Sequence, residues 1–142
     1  MTAPDPGPER RLAPLLAALC GLMLLVDSAW AALARAFGWY HGPAIFLLSL
    51  AMYFLAGFVA YDCGGRLIAA LAGAVVCIVD NSLGTLITWA ILPAPVARTL
   101  PSIPDLAPLF AESVMLALAI GLAGGLVAGA RRRWHERRRV SA

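Results

Sequence analysis

Four apolar runs dominate the chain, over about residues 12–37, 44–61, 67–92 and 106–130. At 1.5 Å of rise per residue, a helix of such length reaches across a hydrocarbon core of roughly 30 Å. The composition leaves few other solvents for them: 61% of the residues are hydrophobic and 13% charged. A soluble domain carries about a quarter charged residues and could not hide this much apolar surface. The expected fold is therefore all-α, a polytopic membrane protein built as a four-transmembrane-helix bundle.

The boundaries carry their own signals. Residues 1–11 (MTAPDPGPERR) are proline-rich and polar, which predicts a disordered N-terminal tail. Gly42-Pro43 opens the second run, since proline is pre-organised for the first turn of a helix. Tyr61 to Arg66 reads as a tight glycine turn. Pro93 closes the third run, and Pro95, Pro101 and Pro104 make the next connection extended. Pro108 falls in the first turn of the fourth run, which ends at Ala130 before a basic tail, residues 131–142.

Four crossings put both ends on one side, and the arginines choose which. Arg10, Arg11, Arg66, Arg131, Arg132, Arg133, Arg137, Arg138 and Arg139 share that side; Arg35 and Arg98 fall on the other. The positive-inside rule makes the richer side cytoplasmic. Trp30, Trp39, Tyr40 and Trp89 then mark the outer interface, and Tyr61 and Trp134 the inner one. All eleven basic residues are arginine, and alanine, glycine and proline are abundant, a composition typical of a GC-rich bacterial genome. The location expected is a bacterial plasma membrane.

A rival reading of the first run is a cleavable signal, with Arg10-Arg11 before LAPLLAALCGLMLLV and Ala29-Trp30-Ala31 as the cut. Cleavage would leave three spans in the same orientation. The apolar pattern continues past the cut, however, and a faint internal repeat argues for retention. Shifting the chain by 53 places Val26-Asp27-Ser28 on Val79-Asp80-Asn81 and the second run on the fourth. Two parallel-repeated helical hairpins are the arrangement this suggests, as in some transporters.

Asp27 and Asp80 are the acids deepest within the apolar runs, about 22 and 20 Å along their helices from Leu12 and Leu67. A charged aspartate there costs about 2.5–3.5 kcal/mol, to be offset by partners, protonation or water. Asn81, Thr85 and Thr88 continue a polar strip from Asp80 at helical spacing, with Gly84 leaving room beside it. Asp27, Ser28 and Arg35 form a shorter strip, and Glu112 enters the fourth run at a level Arg35 is expected to reach. One reading is a polar cleft holding a proton or cation on Asp27 and Asp80. The other is that these groups hydrogen-bond helices together, at about 0.6–2 kcal/mol each.

The fourth run also carries Gly121, Gly125 and Gly129 on one face, with Gly124 beside them, answered in the third by Ala69, Gly73 and Cys77. Small residues at this spacing let helix backbones approach closely, within one chain or across a homodimer. The tail RRRWHERRR is expected to sit on anionic lipid headgroups, worth about 1 kcal/mol per arginine. No nucleic-acid role is expected, because the arginines border apolar runs.

Cys20, Cys63 and Cys77 show no paired spacing, and His41 and His135 lie far apart, so neither a disulfide framework nor a metal site is expected. No nucleophile elbow or phosphate loop is present, no cofactor is implied, and an enzyme is not expected. The leading expectation is a structural or accessory component of a membrane complex, with assembly as a homo-oligomer or within a larger complex left open. The alternative is a proton- or cation-coupled transporter or channel using the buried aspartates.

Overall fold

A computed structural model describes residues 8–38, 43–91 and 103–140. The N-terminal residues 1–7, Trp39, Tyr40, His41, and most of the proline-rich connection with Arg98 lie outside the described residues. Among those described, every regular element is helical. Helix α1 is Pro8–Phe37 and α2 is Pro43–Val79. A π turn, Asp80–Gly84, leads into α3, Thr85–Ile91, and α4 is Ile103–Val140. Pro8 to Arg11, expected in the disordered tail, belong to α1, which continues without interruption through Ala29–Ala31. The arginine-rich tail likewise continues α4 as helix through Val140.

Among the described residues three helical stretches, not four, are long and apolar enough to cross a membrane: Arg11–Phe37, Ile45–Ile91 and Ala107–Arg139. The middle one holds 47 residues, and it is not straight. Gly64 (φ −174°, ψ 22°) and Gly65 (φ 73°, ψ −154°) leave the helical region. A positive φ with this ψ is accessible to glycine and strained for any side chain. The consequence shows in the packing: Gly57 and Gly73, on opposite sides of the break, both meet Gly121 of α4. Sixteen residues of unbroken helix would hold them about 24 Å apart. The chain folds back at the glycines into two arms, residues 43–63 and 66–79.

One end of the bundle is marked by Arg35, whose guanidinium donates to the carbonyl of Ile91 at 3.1 Å. The other is marked by Tyr61 beside Gly125 and Gly129, and by Arg131 over the ring of Phe58, 6.0 Å from its centroid. Helix α4 packs against α2, while α1 packs against α2, the π turn and α3.

The packing is inverted relative to a soluble core. Nine of the fifteen buried apolar residues are alanine, whereas Leu25, Leu67 and Met115 are 68%, 70% and 67% exposed. Small groups inside and large ones outside suit lipid, where backbone approach and dispersion replace the hydrophobic drive. The approach is closest along α4. A Cβ on Gly57 would stand 1.9 Å from the Gly121 carbonyl oxygen, and one on Gly124 2.2 Å from that of Phe54. Gly121 in turn faces Ala69 and Gly73, Gly125 faces the Ala69 methyl, and Gly129 faces the Tyr61 hydroxyl. Helix α4 is thus seated between the two arms of α2.

Candidate functional site: an acid pair beside a polar cavity

Helix α1 presents Leu19, Met23, Asp27, Ala31 and Ala34 as its buried stripe, three or four residues apart. This spacing holds one face of a helix toward its neighbours. Asp27 therefore takes a core position between Met23 and Ala31, and it is 7% exposed. Its Oδ2 has no hydrogen-bond partner. The atom lies over Gly84: a Cβ there would stand 2.3 Å from it and 3.3 Å from Oδ1 of Asp80. Glycine at 84 is what admits both carboxyl groups side by side.

Asp80 opens the π turn. The amide of Thr85 donates to the carbonyl of Asp80, five residues back, and also to that of Ser82. Such bulges widen a helix locally and occur frequently at functional sites. The hydroxyl of Tyr53, from the first arm, donates to Oδ2 of Asp80. Tyr53 is itself 5% exposed and belongs to the core cluster with Met23, Met52, Val76 and Cys77. A buried tyrosine hydroxyl needs a partner, and here the partner is an acid of another helical segment.

The other polar side chains of this region turn back on their own helices. Ser28 donates to the Leu24 carbonyl at 2.7 Å and Ser82 to that of Ile78 at 2.5 Å. Ser113 donates to the Leu109 carbonyl at 2.8 Å. Asn81 donates to the carbonyl of Cys77 at 3.0 Å and to its sulfur at 3.2 Å. These bonds join no two helices. Thr85 acts through its amide, with a half-buried side chain. Neither acid has an ion-pair partner among the described residues. Arg35, expected near Glu112, donates to Ile91 instead, and Glu112 is exposed on α4. The reason is topological: α4 sits against α2, whereas Arg35 lies on α1, whose partners are α2, the π turn and α3.

Asp80 also lines a cavity of about 230 Å³. Ser49 and Tyr53 line it from the first arm, Asp80 and Asn81 from the π turn, and Ser113 from α4. Ile45, Phe46, Leu50 and Leu116 complete the wall. Among the described residues, neither Asp27 nor any basic residue lines it. Among the described residues no cluster of three or more histidine, cysteine or acidic side chains is placed to hold a metal ion. Sequence reasoning singled out Asp27, Asp80 and Asn81 and missed Tyr53. The signal for it was a tyrosine well inside an apolar run, where its hydroxyl would need a buried acceptor.

Comparison with protein-family models, with curated proteins and with solved structures finds no match to this chain.

Proposed function

We propose that the chain crosses a bacterial plasma membrane four times, with both ends cytoplasmic, and that its Asp27–Asp80 pair binds a proton or small cation coupled to transport. The stretch Ile45–Ile91, 47 residues long, would extend about 70 Å as one helix, more than twice a hydrocarbon core of ~30 Å. The fold-back at Gly64-Gly65 divides it into two crossings of suitable length. The end of the bundle that carries Arg66 and the six arginines of α4 is then the cytoplasmic one.

One observation carries the functional reading: a 7%-exposed aspartate with an unpartnered oxygen, set against a second carboxyl group and, among the described residues, no cation. An unsatisfied buried polar group costs about 1–3 kcal/mol, and two carboxylates at one site cannot both remain charged cheaply. If these groups served only to join helices, their hydrogen bonds would cross between helices. Apart from Tyr53 to Asp80, and Arg35 to Ile91 at the end of the bundle, the polar side chains of this region bond within their own helix. A bound proton or cation supplies what the protein withholds. An accessory role in a larger complex accounts for the membrane anchoring but gives the acid pair nothing to do.

Infrared difference spectroscopy on the purified protein in lipid tests this, following the protonated-carboxyl band as pH and sodium concentration are varied. The band is expected to respond in the wild type and to be lost or displaced in Asp27→Asn and Asp80→Asn. If neither pH nor sodium changes a carboxyl band that these substitutions remove, the pair is structural.

A further inference from the structure

The cavity beside Asp80 has the chemistry of a binding site for something larger than the ion itself. At about 230 Å³ it is smaller than the ~300–1,000 Å³ pockets of drug-sized ligands, yet it exceeds the ~30 Å³ share of one water several times over. A desodvated alkali or alkaline-earth ion prefers a close shell of oxygens, about 6–8 for calcium. Here four of the nine lining residues are aliphatic or phenylalanine, so the wall is half apolar and a compact oxygen cage is not what it offers. It offers one carboxyl group, three small hydrogen-bonding side chains, and the rings of Phe46 and Tyr53.

That combination matches a cation with an apolar body. A positive head belongs at Asp80, where the adjacent Tyr53 ring adds the attraction of an aromatic face for a cation. The body fits against Ile45, Leu50 and Leu116. The hydroxyls of Ser49 and Ser113 and the side-chain oxygen of Asn81 keep acceptor capacity, since Ser113 and Asn81 use only their donors in bonding their own helices. Among the described residues no basic side chain lines the wall, so none of them repels the charge. Resting on the acid-pair reading above, we infer that this cavity binds a small organic monocation, an amine or quaternary ammonium with a compact apolar body, as the species whose passage the pair couples to protons.

The geometry also assigns the two acids different tasks. Asp80 lines the cavity and meets Asp27 at Gly84, so it can meet the organic cation directly. Asp27 is not one of the lining residues and deals with what Asp80 passes on. A proton held between two carboxyl groups is needed while no other positive charge is present. A cation at Asp80 removes that need, and the proton leaves to solvent. Binding of one charge and release of the other then leave the net charge of the site unchanged.

The test is isothermal titration calorimetry of the full chain in lipid nanodiscs with benzyltrimethylammonium chloride, in buffers of different ionisation enthalpy. This probe carries a permanent charge, so any proton detected comes from the protein. Saturable one-to-one binding is expected, with up to one proton released, and at least a tenfold loss of affinity in both Asp80→Asn and Leu116→Trp. The tryptophan substitution fills the cavity without touching an acid, which covers the case in which the Asp80 variant fails to fold. Binding equally strong in both variants would overturn the inference, and so would proton release by sodium with no saturable binding of the probe. If the probe does not bind while the carboxyl band still responds to pH, the organic-cation inference falls and the acid-pair reading stands. Loss of both signals removes both.

Discussion

Gly57→Ala is the most informative single perturbation of the bundle, because the added methyl would strike backbone. Its Cβ would lie 1.9 Å from the carbonyl oxygen of Gly121 and 2.6 Å from the Gly121 Cα. Neither atom can rotate away, so the first arm and α4 must separate by about 1 Å before the contact is tolerable. A gap of 0.5–1 Å forfeits roughly a quarter to a half of the dispersion attraction across it. The loss falls on the closest-packed face in the molecule, where Gly73, Gly121 and Gly124 also approach their neighbours. Overpacking of this kind costs about 1–3 kcal/mol, and an unyielding backbone places Gly57→Ala toward the upper part of that range. Alanine's better helix propensity, about 1 kcal/mol, offsets part of it. The expected net loss is about 2 kcal/mol. Gly21→Ala is the matched control: it lies in α1 with nothing within 4 Å of its Cβ, so it should be neutral or gain up to ~1 kcal/mol. Unfolding in mixed micelles by increasing mole fraction of sodium dodecyl sulfate, followed by tryptophan fluorescence, measures both. Equal midpoints for Gly57→Ala and wild type would refute the close approach of the first arm to α4.

Three further outcomes are expected. Gly65→Ala, at φ 73°, should destabilise the fold-back by about 1–3 kcal/mol in the same titration, and an unchanged midpoint would remove the strained turn. Asp27→Asn should raise stability by about 1–3 kcal/mol at alkaline pH, where the shared proton is lost and an amide satisfies what two bare carboxylates do not; a clear loss at alkaline pH would show that Asp27 is compensated by the protein itself. Cys63, half-buried beside the fold-back, should react with a membrane-impermeant maleimide in inside-out vesicles and not in intact spheroplasts. The reverse pattern would invert the proposed orientation.

What the sequence made legible follows from which forces act one residue at a time. Apolar length is such a property, so the helical runs and the glycine turn before Arg66 could be read directly, though the turn proved to sit inside one long helical stretch. The depth of Asp27 and Asp80 was likewise legible, because an acid in an apolar run stands out. Tyr53 did not stand out, since a tyrosine is half apolar and only the acceptor opposite it reveals its role. Gly57 was hidden for a related reason: a lone glycine in a helix means little until a backbone is seen against it. The supposed Arg35–Glu112 contact shows the limit of arguing from level alone. Two groups at one depth still need helices that touch, and sequence spacing says nothing about which helices are neighbours.

The π turn at Asp80–Gly84 has a consequence for how one continuous segment serves two neighbours. In a plain α-helix Gly73 and Gly84, eleven residues apart, would lie within about 20° of one face. Yet Gly73 meets Ala117 and Gly121 of α4, and Gly84 meets Asp27 of α1. The extra residue of a π turn delays the following helix by about 100°, which turns its upper half from α4 toward α1. The whole acid pair thus depends on a length difference of one codon. Deleting Leu83 alone should rewind the segment to plain α geometry and swing whatever follows back toward α4, leaving Asp27 facing a different side of the helix.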